Sequence, residues 1–243
     1  MSFFRVGLFS LLALLSACEP KFEKAAEPVV NAPPAPPPLT KADWQKGFKN
    51  SFVESQLKVS DDGMSEFVGC FFNVLEKCGT FTFGSRDAVR GITFFQPASS
   101  RRNEFYGTYV PTYISLPDCE KPTLLMKVLH QSKNGWLFVN RVSVLADNNL
   151  LLDHEFSAGE VDRQNFSYGI TEVVNWITSD AEIHALRKVP GAQTLIIRIT
   201  GSKGYVTIEK SRVADFRKDI EEVLAVYDKL QTELSDKIPA TCT

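Results

Sequence analysis

Residues 123–156, TLLMKVLHQSKNGWLFVNRVSVLADNNLLLDHEF, alternate apolar and polar side chains around two clusters of turn residues. The clusters are Ser132-Lys133-Asn134-Gly135 and Asp147-Asn148-Asn149. Successive side chains on a strand point to opposite faces, and turn residues between alternating runs signal hairpins. The stretch therefore predicts a three-strand antiparallel meander. Trp136, Phe138, Val142 and Val144 would share one face of it, with Arg141 and Ser143 on the other.

Downstream, FSYGITEVVNWI (166–177) reads as a strand, and Ser179-Asp180-Ala181-Glu182 as a capping box opening a short helix that carries Ile183 and Leu186. QTLIIRITGSKGYVTIE (193–209) reads as a hairpin around Ser202-Lys203. Ser211 then caps a long helix with Val213, Phe216, Ile220, Val223, Leu224, Tyr227, Leu230 and Leu234 on one side. Upstream, TFTFG (80–84) and ITFFQP (92–97) read as strands. YVPTYISL (109–116) reads as an edge or bulged strand, because Pro111 cannot donate to a ladder. Thr40-Lys41-Ala42-Asp43 has the form of a capping box, and Trp44, Phe48 and Phe52 follow at four-residue intervals. This predicts an amphipathic helix ending near Gly63. Residues 65–78 keep helical spacing through Phe67, Phe71, Val74 and Cys78, although FVGCFFNVL is also compatible with a buried strand. The class predicted is α+β: an antiparallel meander or sandwich-like sheet with an N-terminal helical segment and a long C-terminal helix.

The N-terminus has a different character. One cation, Arg5, precedes an apolar run from Val6 to Leu15, followed by Ser16-Ala17-Cys18. A charged start, a short apolar core and small residues make a secretory signal. The run is too short to span a bilayer, which takes ~20 apolar residues. Leu15-Ser16-Ala17-Cys18 resembles the lipobox of bacterial lipoproteins. That resemblance implies cleavage before Cys18, lipidation of its thiol and, with Glu19 next, an outer-membrane location facing the periplasm. Residues 1–17 would be the signal and 18–39 a lipidated tether, EPKFEKAAEPVVNAPPAPPPL from residue 19 onward. Proline dominates its second half, so it favours polyproline II and reaches ~60 Å when extended. Residues 40–243 would form one domain.

Four cysteines remain: Cys70, Cys78, Cys119 and Cys242. An even number in an oxidising compartment predicts two disulfides with three possible pairings. If residues 65–78 were one continuous helix, Cys70 and Cys78 would lie ~12 Å apart along its axis, beyond bridging distance. If the segment is extended, that local pair returns. There is no C-x-x-C, and neither a metal nor another cofactor is expected.

With 27 basic against 29 acidic residues the chain lacks the basic footprint of a nucleic-acid binder. G-x-S-x-G, H-E-x-x-H and the P-loop are absent. His130 alternates with apolar residues, as a core or edge position would. His184 lies beside Glu182 on the short helix and reads as solvated. In Asp153-His154-Glu155 the histidine must face away from its neighbouring carboxylates, which also favours a solvated side chain. No residue is expected to be catalytic. Contact is expected instead at SSRRNEFYGTYVPTYI (99–114), where Arg101, Arg102, Phe105, Tyr106 and Tyr109 combine the types enriched in interface hot spots. The functional expectation is a lipid-anchored envelope protein whose domain binds another envelope protein or a cell-wall component without catalysis. The alternative is an envelope hydrolase with catalytic groups dispersed in sequence.

Overall fold

The computed structural model describes residues 37, 39–44, 46, 52–72, 78–97, 107–234, 236 and 238–239, with backbone alone for 52–59, 70–72 and 78–82. The chain divides into Met1–Pro37 and Pro38–Thr243, and the architecture below belongs to the second unit.

A helical turn, α1 (residues 41–44), leads into β1 (Phe52–Val59), β2 (Met64–Phe72), β3 (Cys78–Asp87) and β4 (Ile92–Pro97). Next come β5 (Gly107–Tyr109), β6 (Thr112–Pro117) and β7 (Thr123–Ser132). The chain continues through β8 (Val139–Ala146), β9 (Asn149–Glu155), β10 (Asp162–Phe166) and β11 (Gly169–Ile177). It closes with α2 (Asp180–Leu186), β12 (Leu195–Gly201), β13 (Gly204–Thr207) and α3 (Lys210–Leu234). All strand pairs among the described residues are antiparallel. One sheet runs β1-β2-β3-β4-β6-β7-β11-β10, with β5 also on β7; the other runs β13-β12-β8-β9. The class is α+β.

The capping boxes at Thr40 and Ser179 form as read, but α3 already begins at Lys210, so Ser211 lies inside the helix and is not its cap. Thr40 N donates to Asp43 at 2.9 Å and Asp43 N to Thr40 Oγ1 at 3.3 Å. Ser179 and Glu182 close the box at the start of α2. The helix expected from Thr40 to Gly63 does not run that far, because Phe52 already lies in β1. Ser60-Asp61-Asp62-Gly63 is a hairpin turn, in which Gly63 takes φ +85°. A left-handed glycine ends a helix or turns a hairpin equally well. Residues 64–72 are a strand, the alternative that sequence left open. The Phe67 ring lies over Gly84 on the facing strand, where an added Cβ would sit 2.0 Å from the ring. YVPTYISL is likewise no edge strand. Pro111 separates β5 from β6, and β6 lies inside the sheet between β4 and β7.

The larger correction falls on residues 123–156. β8 and β9 form the expected hairpin, but β7 and β8 belong to different sheets. Both edges of β7 are occupied, one by β5 and β6, the other by β11. The 133–138 connection therefore crosses between sheets. Phe138 turns it with φ +56° and leaves its ring exposed, not on the Val142–Val144 face. Glu172 of β11, with no exposed surface, fastens the crossing. Its carboxylate accepts the backbone N–H groups of Leu137, Phe138 and Val139 at 2.8, 3.0 and 2.9 Å, and Arg163 Nε donates to it at 3.1 Å. Side chains of both sheets and of α3 enter one continuous core, Met126, Val174, Val144, Ile197 and Ile220 among them.

Cys119 is disulfide-bonded and lies in the turn between β6 and β7. On the β3 ladder Cys70 pairs with Phe81, six residues from Asp87, and Asp87 leads through Ile92 to Pro117. Cys70 is thus ~20 Å from the Cys119 turn, and Cys78 lies farther along the same strand. Neither can reach Cys119, since a bridge requires Cα atoms within ~7 Å. Gln231 near the end of α3 donates to Pro122 O at 3.4 Å, bringing the C-terminal segment to this turn. Cys242 itself lies outside the described residues.

Non-reducing peptide mapping is therefore expected to recover the Cys119 peptide joined to the Cys242 peptide. A link from Cys119 to Cys70 would contradict the strand register. Glu172→Gln removes a buried charge from beside Arg163 and weakens three hydrogen bonds. Urea unfolding is expected to show a loss of about 3 kcal/mol.

Candidate functional site

A recess of about 130 Å³ opens where the two sheets and α3 meet. Its floor is apolar: Leu129 of β7, Ile197 of β12, and Ile208 and Phe216 on either side of the α3 start. Thr108, Tyr109 and Pro111 form one wall. Arg212, Asp215 and Asp219 of α3 form the other, spaced so that one helical face presents all three. The Arg212 guanidinium lies 4.0 Å from the centre of the Tyr109 ring, a cation–π contact between two lining residues. Gly107 takes φ +134° beside this pair. A side chain there would meet Arg212 Nη2 at 3.2 Å and the Tyr109 ring at 3.3 Å. A larger residue would crowd both groups, and the positive φ itself favours glycine.

The recess is well below the ~300–1,000 Å³ of sites that enclose a cofactor or drug-sized ligand. It has room for a single side chain or a group of that size. Of the residues that sequence assigned to binding, Tyr109 is in its wall. Arg101, Arg102, Phe105 and Tyr106 lie outside the described residues. Sequence missed the α3 contribution, because Arg212, Asp215 and Asp219 read as ordinary polar positions of an amphipathic helix. Only the register of α3 against β5 reveals them.

Two histidines are placed beside hydrogen-bonding groups. His130, buried in β7, bonds through Nδ1 to Thr108 Oγ1 at 2.8 Å. Burial pushes its pKa down, against the opposing pull of the Glu172 charge on the facing strand. The Glu172 oxygens are committed to three backbone N–H groups and Arg163. His154 is not simply solvated, as sequence suggested. It stacks on Trp176 at 5.0 Å and bonds through Nδ1 to Glu182 Oε1 at 2.9 Å. Burial pulls Glu182 upward, but hydrogen bonds from Ser179 and His154 outweigh it and hold the carboxyl below its usual range. Asp153 and Glu155 turn the other way, onto Ser143 and Arg141, as strand alternation requires. Among the described residues no group of three or more His, Cys, Asp and Glu side chains is arranged to hold a metal.

No protein-family model, curated protein or solved structure matches the chain.

The pairing of Thr108 with a buried, neutral His130 carries a pH dependence. The folded-state pKa is depressed, so between the folded value and the ordinary ~6.5 the unfolded chain binds more protons. Stability is therefore full above about pH 6.5 and falls with acidification toward the folded pKa. Thermal unfolding across this window is expected to show the fall in the parent chain and less of it in His130→Gln. Carboxylates held below their usual range, such as Asp147 and Glu182, add losses only at lower pH.

Proposed function

We propose that the chain is a lipid-anchored cell-envelope protein whose folded unit binds another envelope protein or a cell-wall component without chemistry of its own. The lipobox at Leu15–Cys18 and the proline-rich segment to residue 39 support the anchor and the spacer. The recess carries the binding reading. It is sized for one projecting group, apolar at its base, and bordered by an aromatic ring and a guanidinium on rigid elements. Aromatic and arginine side chains around a small pocket are the elements from which interface hot spots are built. Tethering raises the effective concentration of such a module near a fixed partner.

One observation favours the hydrolase reading. Thr108 both lines the recess and bonds to His130, the approximate arrangement of a hydroxyl nucleophile with its base. No carboxylate is free to orient that histidine from the Glu172 side.

The test uses the chain in its native host. Intact mass is expected to show residues 1–17 absent and a diacyl or triacyl adduct on Cys18. Capture of crosslinked envelope components is expected to fall at least ~5-fold in Tyr109→Leu and Arg212→Gln, the mark of a hot-spot residue. Thr108→Val and His130→Gln should leave capture intact. If those two variants instead abolish hydrolysis of a cell-wall fragment or an ester, the chain is an enzyme.

A further inference from the structure

At the end of the sheets where β7 finishes, three turns are fastened together. The β10–β11 turn packs so closely that a Cβ on Gly169 would fall 2.6 Å from Ser132 O and 3.6 Å from the Lys133 Cα. The β12–β13 turn donates Ser202 N to Phe138 O and Lys203 N to Leu137 O, each at 3.2 Å. Gly201 meets the same connection, leaving no space for a side chain. The three turns thus behave as one rigid tip. Its surface is aromatic. Phe138 is 36% exposed, Phe166 39% and Tyr168 56%, and the last two rings stack at 5.4 Å, nearly parallel. Trp136, half-buried, lies 6.2 Å from Phe138. Lys203 Nζ sits 5.0 Å over the Phe138 ring. Lys133 is exposed on the neighbouring turn.

The charged residues within these turns are Lys133 and Lys203, and the exposed Asp162 beyond them accepts from Gln164 at 2.8 Å. Residues 131–138, 164–169 and 201–205 contain no Asp or Glu, in a chain whose acidic residues outnumber its basic ones. The carboxylate behind them, Glu172, is fully buried and paired with Arg163. The core does not need these rings, and an exposed Phe138 in left-handed conformation adds strain.

We infer that this tip docks on a phospholipid bilayer with anionic headgroups. The tip is a set of protruding turns, a shape that enters the interfacial layer instead of enclosing a ligand. Trp and Tyr rings settle at headgroup level, Phe supplies apolar area just below it, and lysine stems extend toward lipid phosphates. The exposed Lys133 and Lys203 complement an anionic surface. The chain enters the folded unit at the opposite end of β7, where Lys41 pairs with Asp118 at 3.5 Å. Ten residues of β7 separate the two ends by ~30 Å. A tether reaching ~60 Å is long enough for the tip to touch a bilayer while Cys18 is anchored.

The experiment uses the chain from residue 18 with Cys18→Ser, a start that rests on the lipoprotein reading. It carries no lipid, so its outcome bears neither on the anchor nor on the recess. It is mixed with vesicles of equal parts phosphatidylglycerol and phosphatidylethanolamine, or of phosphatidylcholine alone. Sedimentation with the anionic vesicles is expected, and free glycerol phosphate should not compete. Bromine-labelled acyl chains should quench Trp136, since Trp44 and Trp176 are buried. Lys133→Ser with Lys203→Ser should lower partitioning about 25-fold, roughly five-fold per cation. Phe166→Ser with Tyr168→Ser, both exposed, should also lower it while leaving the melting temperature unchanged. The inference fails if no vesicle binds, if phosphatidylcholine binds equally well, or if the tip variants bind like the parent. It also fails if the chain pellets without vesicles, which would make the tip a contact between copies. Loss of a crosslinked protein partner in the tip variants with vesicle binding unchanged would likewise overturn it.

Discussion

A single carboxylate decides where one sheet stops and the other begins. Glu172 is on the strand that occupies the free edge of β7, so β8 cannot fold back there. The same side chain then collects the N–H groups of residues 137–139, where the connection runs into the start of β8. Buried backbone donors and a buried carboxylate are each costly when unsatisfied, and here each satisfies the other. Arg163 balances the charge from β10 and also reaches Ala158 O and Val139 O. The positive φ of Phe138, the approach of Gly201 and the hydrogen bonds of the β12–β13 turn all follow from holding this crossing in place.

The recess depends on the same crossing. Its floor combines Leu129 of the first sheet with Ile197 of the second, and α3 closes it because its apolar face reaches β3, β4, β6 and β12. Tyr109 lies in a three-residue strand cut short by Pro111, whose carbonyl still accepts Lys127 N at 2.9 Å. On either side of the break β5 and β6 pair with the same edge of β7, both antiparallel and in one continuous register. The recess opens beside that break.

Spacing alone failed in the N-terminal third for a definable reason. Phe67 and Phe71 fit a helical period, yet residues four apart also share a strand face. What separates the two readings is the partner. Phe67 needs a strand opposite with no side chain, which Gly84 supplies, and the Phe95 ring meets it edge-on at 6.0 Å. That pairing spans the β2–β3 and β3–β4 ladders and cannot be seen within a window of fifteen residues.

Elements determined by neighbouring residues were legible in the sequence. The Thr40–Asp43 and Ser179–Glu182 caps, the β8–β9 and β12–β13 hairpins and the buried face of α3 rest on contacts within a few residues or one turn of helix. Tyr109 was singled out by its type and lies in the wall of the recess, and His130 was legible as buried by its apolar neighbours. Tertiary structure alone decided the rest: β7 and β8 in separate sheets, β6 as an interior strand, Arg212 beside Tyr109, and His154 against Trp176 and Glu182. In each case the deciding partner lies far away in sequence. The local pattern states only that a residue is half-buried or turn-forming; which edge, ring or carboxylate satisfies it is settled when the sheets and the long helix close over one core.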